Sequence, residues 1–327
     1  MLKIGIVGTG RIAKRFLIEN EQVEESEVTI VFNPHIESAI RFSELNPKMK
    51  VANSLSELWA ECDAVYIATP HETHAYYVEE ALKNDKHVLC EKPMFLCEDD
   101  AKKYIELAQI KGKVLFEALK TKYCPGYKKL IEVARSGIIG KIVDVDACFT
   151  KLENTSHREL TDTKYGGSFR ELGSYALLPI IDLLGVDYQN IYFNSLNGEN
   201  YIDYFTRAFI KYKDAGGTIK VGLGAKSEGE MIISGTRGYI VVSAPWWKTT
   251  HFEVRYEDYT RKDTFDIEFM GDGLRYEITT FCKRVKDSFG YKLNDNYGIE
   301  KRAEIIGKFG KYHNDLKKRM TVDCICE

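Results

Sequence analysis

Apolar positions change texture once along the chain. From the first residues to about Leu119, short apolar runs alternate with segments whose apolar residues recur every three or four positions. The runs are "LKIGIV", "EVTIVF", "DAVYIAT", "KHVLC" and "KVLFEAL". Helical spacing begins at Arg11 and returns in "IESAIRFSEL", "HAYYVEEALKN" and "EDDAKKYIELAQIKG". A strand apolar on both faces needs helices over both, which is the arrangement of a parallel sheet. Beyond Pro125 the pattern differs. A helix in "GYKKLIEVARSG" stops at Gly137, a C-cap glycine. The span from about Gly140 to Phe269 is then mostly strand, with one helix near Ser168–Leu184. "TIKVGLGA" and "FEVRYEDY" alternate with period two, as in an antiparallel sheet with one buried face. Two helices, "GLRYEITTFCKRVKDSF" and "GIEKRAEIIGKFGKYHNDLKK", close the chain. We expect two domains, 1–120 and 121–327, with the last helix, about 298–317, able to pack back on the first.

Charge and composition narrow the partners. The net charge of −3 gives neither nucleic acid nor anionic lipid a reason to bind. No apolar run nears the ~20 residues that cross a bilayer. "MLKIGIVGTG" has the marks of a first strand rather than a leader. The eight cysteines form no Cys-x-x-Cys pair, so we expect reduced thiols, a cytoplasmic protein and no metal. The terminal Cys324 and Cys326 have the wrong spacing for a tetrahedral site.

Between the first strand and its helix, "IGIVGTGRIA" sets Gly8, Gly10 and Ala13 in a G-x-G-x-x-A pattern. In that context the first glycine permits the tight turn, the second lets backbone N–H groups reach a pyrophosphate, and the alanine lets helix and strand pack closely. Arg11 and Ile12 open the helix, whose N-terminus favours an anion. Asn33, at the end of the second strand, stands where a residue reads the adenosine ribose. It brings no carboxylate against a 2′-phosphate and no cation towards one, so NAD and NADP both remain open, with NAD favoured. An Asn-Pro turn with no ligand role is the other reading of the same two residues.

Ligands of an open parallel sheet bind off the carboxyl ends of its strands. Thr69, Pro70, His71, Glu91 and Lys92 occupy such ends, and Glu117 ends a further strand. Pro93 bars helical geometry at Lys92 and stops the sheet, holding the lysine at the rim. The glycine loop, "ATPHETHAYYVEEALKNDKHVLCEKPM" and "GGSFRELGSY", in this order, resemble the glucose–fructose oxidoreductase / inositol dehydrogenase (Gfo/Idh/MocA) family of NAD(P)-dependent oxidoreductases. The resemblance implies a Rossmann domain followed by an α+β domain with a large, open, mainly antiparallel sheet. It also implies a homodimer or homotetramer through that sheet, and a sugar, nucleotide-sugar, cyclic polyol or dihydrodiol as substrate. Relatives that hydrolyse glycosides with recycled NAD, or that bind nucleotide as regulators, are the alternatives it leaves.

On this resemblance Lys92 is catalytic and touches both cofactor and substrate oxygen, while His74 supports the loop over the nicotinamide. The helix from Ser168 carries Glu171, Gly173 and Tyr175 at the family's spacing, with Glu171 and Tyr175 one turn apart. Tyr175 would exchange the proton, and tyrosine places the chain nearer the dihydrodiol-dehydrogenase branch than the inositol branch. Glu171 departs from the family's aspartate by one methylene. Lys122, with Lys164 and Tyr165, could touch substrate; Lys120 and Lys122 replace a Trp and an Arg of close relatives, losing planar bidentate recognition. Trp246 and Trp247 are read as core or interface rather than as a sugar platform.

Overall fold

The computed structural model describes residues 1–198, 200–287 and 296–323, the last five as backbone alone; Cys324 and Cys326 lie outside the described residues. Contacts divide the chain into two compact units, Met1–Tyr123 with Met270–Glu300, and Cys124–Phe269 with Lys301–Glu327.

The first unit is built on a parallel sheet of β1 (Leu2–Val7), β2 (Ser26–Phe32), β3 (Lys50–Val51), β4 (Ala64–Ile67), β5 (His87–Glu91) and β6 (Leu115–Ala118). Its order is β3-β2-β1-β4-β5-β6, the Rossmann order, which reverses direction between β1 and β4. The crossovers hold α1 (Arg11–Asn20), α2 (Ile36–Ser43), α3 (Leu55–Glu61), α4 (His74–Lys83) and α5 (Glu98–Ile110). Ile4, Ile6, Val31, Tyr66 and Leu89 are buried together with Phe16 and Phe116, as the continuous apolar strands require.

The second unit starts with α6 (Pro125–Arg135), β7 (Ile142–Thr150), α7 (Arg158–Thr161) and α8 (Ser168–Leu184). It continues through β8 (Asn190–Asn197), β9 (Asp203–Lys211), β10 (Gly216–Gly222), β11 (Met231–Gly235), β12 (Gly238–Val242), β13 (His251–Tyr256) and β14 (Lys262–Asp266). These eight strands form one sheet, β14-β13-β12-β11-β7-β10-β9-β8, antiparallel except where β7 meets β10. Register explains its two faces. One row across the sheet runs Phe193, Ala208, Ile219, Ala147, Met231, Val242, Phe252 and Phe265, and its central members are buried. Helix α8 packs on the strands at the centre of the sheet; a side chain at Gly217 would strike Ile180 at 2.7 Å. The neighbouring row, Tyr192, Phe209, Thr218, Asp146, Ile232 and Val241, belongs to the other face.

Two helices depart from a single cut at residue 120. Helix α9 (Leu274–Lys286) returns to the first unit because its stripe of Leu274, Ile278, Phe281 and Cys282 completes that core. Arg275 anchors it, donating to the Glu19 carboxylate from Nε at 3.1 Å and Nη2 at 2.7 Å. From Lys301 onward α10 (Ile299–Asp323) belongs to the second unit, where Phe309 stacks on Phe169 with ring centroids 4.4 Å apart. The C-terminal helix grouped with the first unit is therefore α9. No helix among the described residues is long and apolar enough to cross a membrane.

Candidate active site

The glycine turn is closed on one side and open on the other. Gly8 has φ +98°, and a Cβ there would meet the Ala68 carbonyl oxygen at 2.5 Å, so only glycine lets the turn lie against the end of β4. At Gly10 a Cβ would meet nothing within 4 Å. Gly10 is the N-cap of α1, no side chain caps that end, and no acid stands in its first turn. Arg11 is exposed, Ile12 half-buried and Ala13 fully buried against the core. Space above a glycine turn at an uncapped helix N-terminus fits the pyrophosphate of a dinucleotide. Asn33 is tied to this turn: its Nδ2 donates to Thr9 Oγ1 at 2.8 Å and its Oδ1 accepts from the His35 amide at 2.9 Å. The Asn-Pro turn is thus present, and it braces the glycine turn.

Lys92 follows β5 almost wholly buried, 8% exposed, and the Lys92–Pro93 peptide is cis. Its surroundings hold the backbone at three points. The Lys92 amide donates to Glu91 Oε2 at 3.3 Å, the Met94 amide donates to Glu117 Oε1 at 3.2 Å, and the Pro93 carbonyl lies 2.9 Å from His74 Nδ1. The other ring nitrogen of His74 is 2.9 Å from the Thr69 carbonyl, so one imidazole joins the turns after β4 and β5. Burial pushes the His74 pKa down. A neutral ring donates to one carbonyl only. Thr69 also accepts from Thr73 Oγ1 at 2.7 Å, which closes the turn that carries Pro70 and His71. Glu91 is buried as well: Tyr66 Oη donates to its Oε1 at 2.6 Å, and burial raises its pKa against the opposing pull of Lys92, Tyr66 and Lys120.

In the second unit the paired glycines set the start of α8. Gly167 has φ +111°, and a Cβ on it would lie 1.9 Å from Asp203 Oδ1. Asp203 Oδ2 accepts from the Phe169 amide at 2.9 Å and from Thr206 Oγ1 at 2.8 Å, so a carboxyl from β9 caps α8. One turn further along, Glu171 is half-buried and Tyr175 is 9% exposed. The Tyr175 ring meets Phe149 edge-on at 5.3 Å, and Phe149 stacks on Trp247 at 3.6 Å. Trp246 is core, its indole donating to the Cys148 carbonyl at 2.8 Å. The Lys164 ammonium lies 4.9 Å from the Tyr165 ring, and Arg170 Nη1 donates to the Lys164 carbonyl at 2.6 Å, tying that loop to α8. Lys122 is half-buried in the turn at Lys120–Tyr123 of the first unit.

The model of an oxidoreductase family with an NAD-binding Rossmann fold matches residues 2–119. This match gives residues 2–119 the Rossmann fold of the Gfo/Idh/MocA oxidoreductase family. The relatives that the chain resembles are named as dehydrogenases and reductases. Its relatives include the scyllo-inositol 2-dehydrogenase (NADP(+)) IolU of Bacillus subtilis, 26% identical over 88% of this chain and 89% of that protein. A trans-1,2-dihydrobenzene-1,2-diol dehydrogenase of Bos taurus is 28% identical over 78% of each chain. Among solved structures, KijD10, a 3-ketoreductase from Actinomadura kijaniata in complex with NADP and TDP-benzene, shares the fold at a TM-score of 0.80. It is 20% identical, over 93% of this chain and 95% of that one.

Two buried groups escaped the sequence reading. Asp203 and Glu277 are both fully buried. Glu277 had a legible signal: it stands between Leu274, Ile278 and Phe281 on the stripe that a period of 3.6 buries. Asp203 had none, because its role depends on a pairing 36 residues away from Gly167.

Proposed function

We propose that the protein moves a hydride between a nicotinamide dinucleotide and a secondary alcohol or ketone on a sugar, nucleotide-sugar, cyclic polyol or dihydrodiol. The observation that carries this is Lys92: a buried amine whose backbone is fixed through Glu91, Glu117 and His74, in the same unit as an open glycine turn. When bound, the dinucleotide supplies the hydride donor or acceptor. Lys92 donates to the reacting oxygen, Tyr175 exchanges its proton, and Glu171 holds a neighbouring hydroxyl. Lys122, Lys164 and Tyr165 contact the rest of the substrate. Gly8, Gly10, Arg11, Ile12 and Asn33 serve the dinucleotide's adenosine half, and Thr69, Pro70, His71, His74, Glu91 and Glu117 its nicotinamide half. The neutral Asn33 favours NAD; the NADP named for IolU and bound in KijD10 stands against that choice, and kcat/KM measured with both coenzymes decides it.

Tyr192, Phe209, Ile232 and Tyr239 are exposed on the second unit's sheet, which supports a homodimer or homotetramer through that face. Six described cysteines are free thiols, which fits a cytoplasmic protein. Activity is tested with a panel of sugars, polyols and dihydrodiols, following nicotinamide absorbance. Lys92→Met should lower kcat/KM by at least ~10²-fold and Tyr175→Phe by ~10²–10⁴-fold, with thermal unfolding unchanged. Variants within threefold of the parent would remove both residues from the chemistry.

A further inference from the structure

Glu277 of α9 is fully buried, and neither of its carboxyl oxygens meets a hydrogen-bond donor among the described residues. Three charged groups face it: Glu91 from the end of β5, Lys120 from the turn at Lys120–Tyr123, and Glu19 from α1. Glu19 is already neutralised by Arg275. Glu91 differs sharply, because it accepts from the Tyr66 hydroxyl and the Lys92 amide and faces both Lys92 and Lys120. A carboxylate buried without donors costs several kcal/mol, more with a second carboxylate near it. The neutral acid avoids that cost. Of the two carboxyls, the one with donors keeps the charge and the one without keeps the proton.

We propose that Glu277 is a positioning residue that acts on Lys92 through Glu91: a neutral acid that leaves Glu91 as the single negative charge facing Lys92 and Lys120. Should that proton leave, the new charge repels Glu91, and the Lys92 amine that faces Glu91 shifts with it from the substrate oxygen. The effect on Lys92 rests on its catalytic reading, whereas the proton on Glu277 does not. Burial and the Glu91 charge both push the Glu277 pKa well above the usual carboxylate range, in agreement.

Infrared difference spectra of the protein alone in D2O test the proton directly. At mildly alkaline pD, above the titration of Asp203, a buried carboxylic C=O band is expected, and Glu277→Gln should abolish it. The companion measurement is kcat/KM against pH. The ratio of parent to Glu277→Gln should fall at least fivefold as pH rises through the loss of that band, as only the parent has a proton to lose. If Glu277→Gln does not fold, Glu91→Gln replaces it. Relieved of the neighbouring anion, Glu277 should then lose its band at lower pD than in the parent. A spectrum without that band, or one unchanged by both variants, overturns the proposal. A ratio constant within twofold overturns the link to Lys92. An active Lys92→Met protein that keeps the band would instead sink the catalytic reading and leave the proton on Glu277 standing.

Discussion

Replacing Asp203 by Asn should remove most of the second unit's loss of stability between mildly acidic and mildly alkaline pH. Asp203 is fully buried, and burial raises its pKa from 3.8 to about 7 despite the Phe169 amide and the Thr206 hydroxyl that favour its charge. The folded chain therefore keeps a proton that the unfolded chain has already released. A raised acid contributes stability that is complete below the unfolded pKa and is lost as pH rises through the folded one. The window is thus roughly pH 4 to pH 7. A rise of roughly three pH units, at about 1.4 kcal/mol per unit, is about 4 kcal/mol. Asparagine keeps an acceptor oxygen for the Phe169 amide and has no charge to develop. Urea unfolding of parent and Asp203→Asn at intervals from pH 4 to pH 8 should give curves that coincide at the acid end. They should separate by up to about 4 kcal/mol at the alkaline end, with the variant the more stable. Parallel curves, or a parent that gains on the variant as pH rises, would refute the reasoning.

Two further outcomes follow from the first unit. Gly8→Ala should lower stability by about 2 kcal/mol or more, because alanine at φ +98° is strained and its Cβ meets the Ala68 oxygen at 2.5 Å; cofactor titration by nicotinamide fluorescence should weaken in parallel. Arg275→Met should cost about 2 kcal/mol in thermal or urea unfolding. That is less than the roughly 3–5 for a fully buried pair, because the guanidinium is 21% exposed while Glu19 is 5% exposed.

Much of the fold was legible because it is written in local patterns. Continuous apolar strands fix a parallel sheet, period-two strands fix an antiparallel one, and the glycine turn falls between a strand and a helix, as its mechanism needs. The placement of α9 was not legible. Its apolar stripe says that it is buried but not against which core, and sequence order alone puts it with the second unit. Asn33 shows a different limit. Spacing put it beside the glycine turn, where it is, but the bond to Thr9 that makes it a brace belongs to a side-chain geometry that spacing does not encode. The same holds for His74, whose two carbonyl neighbours come from separate turns.

Asp203 and Glu277 together show what decides the state of a buried carboxyl in this protein. Both are fully buried, and each lies beside an element that carries or precedes a proposed catalytic residue, α8 for Tyr175 and β5 for Lys92. Burial alone would treat them alike. They differ in donors: Asp203 has two, one of them the orphan amide at a helix start, where a negative charge is favoured, and its pKa stops near 7. Glu277 has none among the described residues, and a neighbouring anion as well, so its proton stays well beyond the ordinary range. Supplying Glu277 with a donor should therefore bring its titration down towards that of Asp203. Ile278 and Leu274 flank it on the same stripe, and a Leu274→Gln variant that still folds should lower the pD at which the Glu277 carboxyl band disappears. A band that disappears at the same pD as in the parent would mean that burial, not hydrogen bonding, sets the charge of this corner.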